Sequence, residues 1–244
     1  MEGRPHYLGH RKRLRERFIK GSLEGMHDYE VLELLLTYAI PRRDVKPCAK
    51  ALLQHFGSLS GVMDATSREL EEVAQIGPVS STLIRLVREL CTLYLADRMK
   101  GQDALSSPQA VSDFARMKLA AIPREVFMVI FVDAKNRVLD FKILQEGTID
   151  RAVVYPRRII EEALARHAAG IIFVHNHPSG DATPSSEDHQ LTRSLMEAAK
   201  AIDLRILDHI VVGKEGYSSL REIGFFEDWE AVRKKDSSYS SRNR

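Results

Sequence analysis

The chain lacks most of the features that would classify it at a glance. Its 244 residues include only two cysteines, Cys48 and Cys91, far apart and without CxxC spacing. Neither a disulfide framework nor a cysteine metal site is expected, and a reducing cytoplasmic setting is the simplest one. No charge of one sign predominates, since 36 Lys and Arg face 34 Asp and Glu for a formal net charge of +2. Such a balance argues neither for nor against a nucleic-acid partner; only the distribution of charge could. No apolar run approaches a membrane span, the longest, residues 126–132, being strand-sized. The first residues, MEGRPHYLGHRKRLRERF, are basic but have no apolar segment behind them, so neither a signal peptide nor a membrane partner is expected. There is no internal repeat. What the chain does have is a hydrophobic content of 44%, enough to bury one large core or two small ones.

Residues 1–100 read as a small helical domain. Asp28 is placed to cap YEVLELLLTYAI, and residues 45–56 continue in helical spacing until Gly57. Ser67 opens RELEEVAQI, with Leu70, Val73 and Ile76 on one face. Ile76-Gly77-Pro78 breaks that helix, and Ser80 or Ser81 caps the next. The polar, proline-containing GQDALSSPQ reads as a linker. Strands follow: VFMVIFVD and VLDFKILQEGT form a hairpin around DAKNR. Residues 155–167 make an amphipathic helix with Ile159, Ile160, Ala163 and Leu164 inward. GIIFVHNH is a buried strand, residues 186–201 a helix, and LRILDHIVVG a last strand. The order β-β-α-β-α-β predicts a mixed α/β domain over residues 107–226. Residues 230–244, which end in KKDSSYSSRNR, are expected to be a disordered tail.

The chemistry concentrates in HNHPSGDATPSSED, residues 175–188. His175 and His177, two apart at the end of a strand, project to the same side. Pro178 stops the strand, and a Pro/Gly/Ser loop leads to a helix whose first turn contains Asp188. Surface histidines and a carboxylate on a helix dipole would have the same types, but the buried strand before them and the spaced acid after them favour a metal. Two nitrogens and one oxygen with a fourth position open is the arrangement of catalytic rather than structural zinc.

His175-x-His177, seven residues, Ser185, two residues and Asp188 resembles the JAMM motif of MPN-domain metalloproteins. With LDHIVVG at residues 207–213, the segment closely resembles the bacterial RadC family. The resemblance covers nearly the whole chain and implies a fold of a short helical, helix-hairpin-helix-like region before an MPN/JAMM-like (cytidine-deaminase-like) β-sheet flanked by helices. It implies a zinc metallopeptidase chemistry, with a glutamate as general acid/base at the start of an earlier strand. Glu125 matches that position, and Glu146 is its rival. The JAMM serine matches Ser185, read as an oxyanion donor, as a helix N-cap, or both. Of Asp208 and His209, one is expected to face the core and the other out. His209 reads either as a partner of a ligand or as a core histidine, and His189 as a surface residue.

RadC proteins are also customarily labelled DNA repair factors. Ile76, Gly77 and Val79 lie in a turn between helices that resembles a helix-hairpin-helix phosphate site, or an ordinary helix–helix turn. Ala74-Gln75 stands where Lys-Gly often precedes the Ile-Gly pair, which removes a glycine and a cation. The cluster His10-Arg11-Lys12-Arg13-Leu14-Arg15 either adds phosphate contacts or is a solvated helix face. Three functions stand side by side: a JAMM-type hydrolase of amide or peptide bonds with a peptide or protein substrate, a DNA-associated repair or recombination factor, and a scaffold without turnover, which the intact ligand set disfavours. Substrate and oligomeric state are not legible.

Overall fold

The computed structural model describes residues 7–146, 155–214 and 216–227. The expected tail at 230–244 lies outside them. The chain divides into two compact units, Met1–Cys91 and Thr92–Arg244.

The first unit is helical. It holds α1 (Tyr7–Gly21), α2 (Asp28–Ala39), α3 (Lys46–Phe56), α4 (Leu59–Asp64), α5 (Ser67–Glu71) and most of α6 (Pro78–Met99). Leu32, Leu36, Leu52, Val62, Leu70, Ile76 and Ile84 form its core. Gly57 closes α3 at φ 79°, a left-handed conformation that glycine adopts without a Cβ penalty. The cap of α2 falls one residue earlier than expected. His27 rather than Asp28 precedes α2, its N–H donating to Glu30 Oε2 at 3.0 Å, and Asp28 is the first helical residue. Ser67 opens α5 as expected, and Thr66 before it caps the helix in a capping box with Glu69. α5 ends at Glu71, short of the expected break, while Val73 and Ile76 stay buried in the turn that follows. Ser80 and Ser81 are not caps but lie buried inside α6.

The second unit is a mixed α/β layer structure. A helix, α7 (Pro108–Leu119), precedes β1 (Val126–Val132) and β2 (Val138–Glu146). Then come α8 (Pro156–Ala165), β3 (Gly170–Asn176), α9 (Ser186–Lys200), β4 (Arg205–Val212) and β5 (Tyr217–Ser219). The sheet order is β2-β1-β3-β4-β5, with only β3 and β4 parallel. β1 and β3 are buried along their whole length, which is why they read as unbroken apolar runs. Their alternation feeds two cores. Met128, Ile130, Ile172 and Val174 join Val111 and Phe114 of α7 on one face. Phe127, Phe131, Ile171 and Phe173 join Ile159 of α8 and Leu195 of α9 on the other.

Two of the expectations that fail in this unit share one cause. α7 occupies part of what reads as linker, and it covers a sheet face taken to be solvated. Asp208 and His209 are therefore both buried, at 8% and 0% exposure, one on each face of β4. In α8, Ile159 and Ala163 face inward, but Leu164 is 61% exposed because the buried arc is narrower than expected. No helix among the described residues is long and apolar enough to cross a membrane.

Candidate metal centre

The site lies where β3 ends. Strand parity places His175 on the face covered by α9, together with Phe173, and Asn176 on the opposite face. His177 is just beyond the strand, its N–H donating to Val212 O at 2.9 Å. The following loop packs against the end of β4 so closely that a Cβ on Gly213 would collide with the Gly180 carbonyl and crowd Ala182 N at 2.9 Å. That loop returns Asp181 O to His177 Nδ1 at 2.8 Å. A carbonyl only accepts, so Nδ1 carries the hydrogen and the neutral ring presents the lone pair of Nε2 to the site.

Asp188 reaches the histidines from the first turn of α9. Its Oδ1 is 3.1 Å from His175 Nε2, its Oδ2 is 3.4 Å from His177 Nε2, and the two Nε2 atoms are 3.0 Å apart. A tetrahedral ion with ligand bonds of about 2.0 Å needs ligands roughly 3.3 Å apart, so the three groups fit one face of such a tetrahedron. Burial pushes the Asp188 carboxyl up, but the His175 and His177 rings beside it outweigh that and hold the group far below the ordinary carboxylate range. The Asp188 carboxylate in turn raises His177 despite its burial. The cluster calls for positive charge among its acceptors, which a bound divalent cation would supply.

Glu125 stands beside this group. Its Oε1 is 4.0 Å from His175 Nε2, and ligand atoms of Glu125, His175 and His177 lie within 4.8 Å of one another. Two acids thus approach the same imidazoles. Asp188 is the nearer and the more buried, at 7% side-chain exposure against 18% for Glu125, so Asp188 suits a ligand and Glu125 a group in touch with solvent. The main chain of Glu146 pairs with that of Val126, at the same end of the sheet, and its side chain lies outside the described residues.

Ser185 caps α9. Its N–H and Oγ–H both donate to Asp188 Oδ2 at 2.7 Å, and its Oγ accepts from Asp188 N at 3.1 Å. The serine therefore orients the carboxylate, and oxyanion donation by the same proton calls for rotation of the hydroxyl away from Asp188.

Behind the histidines lie His209, read from the sequence either as a partner of a ligand or as a core histidine, and Thr192 and Asn176, which the sequence did not single out. His209 Nε2 is 2.9 Å from His175 Nδ1, and His209 Nδ1 is 2.6 Å from Thr192 Oγ1. Thr192 follows Asp188 by one helical turn, a spacing that could have marked it. On the other face, Asn176 Oδ1 accepts from Val126 N at 2.8 Å, while its Nδ2 donates to Ile122 O at 3.0 Å and Arg124 O at 3.1 Å. This clamp fixes the backbone on both sides of Glu125. Asn176→Leu would remove three hydrogen bonds to the main chain; at about 1–3 kcal/mol for each buried bond unmade, partly relieved by water, it is expected to destabilise the unit by roughly 2–4 kcal/mol in denaturant titrations.

The remaining candidates lie elsewhere. His189 is half-buried rather than on the surface, stacked on Phe225 at 5.0 Å. Asp208 accepts from Ser219 Oγ at 2.6 Å, His209 N at 2.7 Å and Arg221 N at 3.0 Å, a set of contacts that ties β4 to β5. In the turn before α6, Ile76 is a core residue and Val79 is 69% exposed. Pro78, the first residue of α6, has no N–H to offer a phosphate there. Part of the basic cluster is engaged internally: Arg11 donates to the carbonyls of Thr37, Ile40 and Arg43, and His10 Nε2 is 2.7 Å from Glu33 Oε1. Among known families, the model described as RadC-like JAB domain matches residues 105–225, the span that contains the sheet and every residue of the cluster.

Proposed function

The chain belongs to the RadC family, its residues 105–225 being a RadC-like JAB domain, and from that membership we propose that it is a zinc-dependent hydrolase of amide or peptide bonds. The observation that carries the reading is the meeting of His175 Nε2, His177 Nε2 and the Asp188 carboxylate at 3.0–3.4 Å, with a second carboxylate, Glu125, at 4.0 Å. His175, His177 and Asp188 would hold the ion. When bound, zinc supplies a Lewis acid that polarises a carbonyl and makes water a nucleophile near neutral pH.

The chain's own residues account for the proton. Hydrolysis adds water across the C–N bond, so one proton must leave the water and one must reach the departing amine. Glu125, partly open to solvent and next to the ligands, is placed to accept the first and deliver the second. Ser185 and the Asp181 carbonyl hold Asp188 and His177 in their orientations, so the ligand set is largely pre-formed.

Metal analysis of the purified protein by plasma mass spectrometry, paired with turnover of a peptide library, tests this. The expected result is about one zinc per chain, with hydrolysis that disappears on chelation and returns with zinc. A folded protein that takes up no zinc overturns the reading.

A further inference from the structure

The polar chain behind His175 has a direction. Thr192 Oγ1 lies 2.6 Å from Asp188 O and 2.6 Å from His209 Nδ1. The carbonyl can only accept, so the one hydroxyl proton of Thr192 goes to it. Towards His209 the threonine oxygen is then an acceptor, and His209 must carry its hydrogen on Nδ1. That leaves the lone pair of His209 Nε2 facing His175 Nδ1 at 2.9 Å, so His175 donates there and its Nε2 is bare. The opposite direction would set the Thr192 oxygen lone pair against the Asp188 carbonyl at 2.6 Å.

Burial keeps this order fixed. Thr192 and His209 are 0% exposed and His175 is 1% exposed, so water does not offer replacement partners. The edges of Phe127 and Phe173 wall the His209 ring at 5.9 and 5.7 Å. A neutral imidazole carries a single proton, so the hydrogen that His209 places on Nδ1 leaves none on Nε2.

We propose that Thr192 and His209 are positioning residues that lock His175 in its Nδ1–H tautomer and so deliver an unprotonated Nε2 to the cation. The inference rests on the metal-site reading for the identity of what Nε2 meets. A core histidine with satisfied bonds would need only some partner at each nitrogen; here the partners also impose a direction. The chain starts from the main chain of Asp188 and ends, through His175, opposite that residue's own carboxylate. One residue of α9 thus sets both the third acceptor and the tautomer of the first.

Two measurements on the full-length protein test it. Long-range 1H–15N NMR of the histidine rings in zinc-free protein reads the tautomer directly, and competition with a chromophoric chelator reads zinc affinity. His175 is expected as Nδ1–H. Thr192→Val removes the acceptor, so His209 is free to carry its proton on Nε2 and push one onto His175 Nε2. Zinc affinity is then expected to fall about 10–100-fold, the usual size for partners of ligands, and Thr192→Ser to restore it. An Nε2–H His175 in the wild-type protein overturns the proposal, as does a folded Thr192→Val with wild-type affinity and tautomer. Wild-type protein that binds no zinc but shows Nδ1–H His175 sinks the hydrolase reading alone and upholds the lock. Should Thr192→Val not fold, the wild-type tautomer alone decides.

Discussion

Asp188→Ala is expected to lower zinc affinity by well over 100-fold, leaving a folded protein that emerges from gel filtration without metal. The lower bound comes from partners of ligands, whose loss costs about 10–100-fold; removing the carboxylate nearest the imidazoles should cost more. Asp188 is also the third helical residue of α9 and accepts two hydrogen bonds from Ser185. Alanine therefore removes a cap as well as a ligand, and a loss of about 1 kcal/mol in stability is expected beside the loss of metal. Asp188→Asn separates the two effects. The amide oxygen still accepts from Ser185, so stability should stay near wild type, while the missing charge leaves two lone-pair nitrogens 3.0 Å apart without a carboxylate to share a cation. Circular dichroism checks the fold and plasma mass spectrometry the zinc. Stoichiometric zinc retained in both variants would remove Asp188 from the ligand set and return Glu125 to consideration.

How much of this could be read from the sequence depends on how local the cause is. β1 and β3 announce themselves because strands covered on both faces need uninterrupted apolar residues, and VFMVIFV and GIIFVHN supply them. The i, i+2 spacing of His175 and His177 and the place of Asp188 in a first helical turn are equally local, so their meeting is predictable from strand and helix periods. α7 has an equally local signature. Ser107-Pro108 looks like a linker, yet proline suits the first helical position, and Val111, Phe114, Ala115 and Leu119 keep helical spacing behind it. The sheet face that α7 covers is the one that carries Asp208, which is why that residue is buried rather than solvated. The Asn176 clamp belongs to another class. Its partners lie 50 to 54 residues earlier in the chain, and no spacing rule points to them. The same holds for His209 and His175, 34 residues apart, whose pairing depends on the parallel register of β3 and β4.

That clamp bears on the second large effect. Glu125→Gln is expected to lower peptide turnover about 10²–10⁴-fold, the range for losing a positioned general acid/base, while zinc content stays at wild type. The drop corresponds to roughly 3–5 kcal/mol in the barrier. Glutamine keeps the size of the side chain and a carbonyl oxygen, so the contact with the site survives and only the capacity to hold a proton is lost. Normal zinc content is what separates this from Asp188→Ala: at 4.0 Å from His175 Nε2, with Asp188 closer to the same atom, Glu125 is placed to stand beside a bound ion rather than to ligate it. Its placement comes from Asn176, which grips Ile122 O, Arg124 O and Val126 N, so the residue between the two histidines sets the distance from them to the acid. Glu146 offers the control, because its main chain pairs with Val126 at the same end of the sheet. If Glu125→Gln turns over within about twofold of wild type and Glu146→Gln does not, the acid/base assignment passes one strand across.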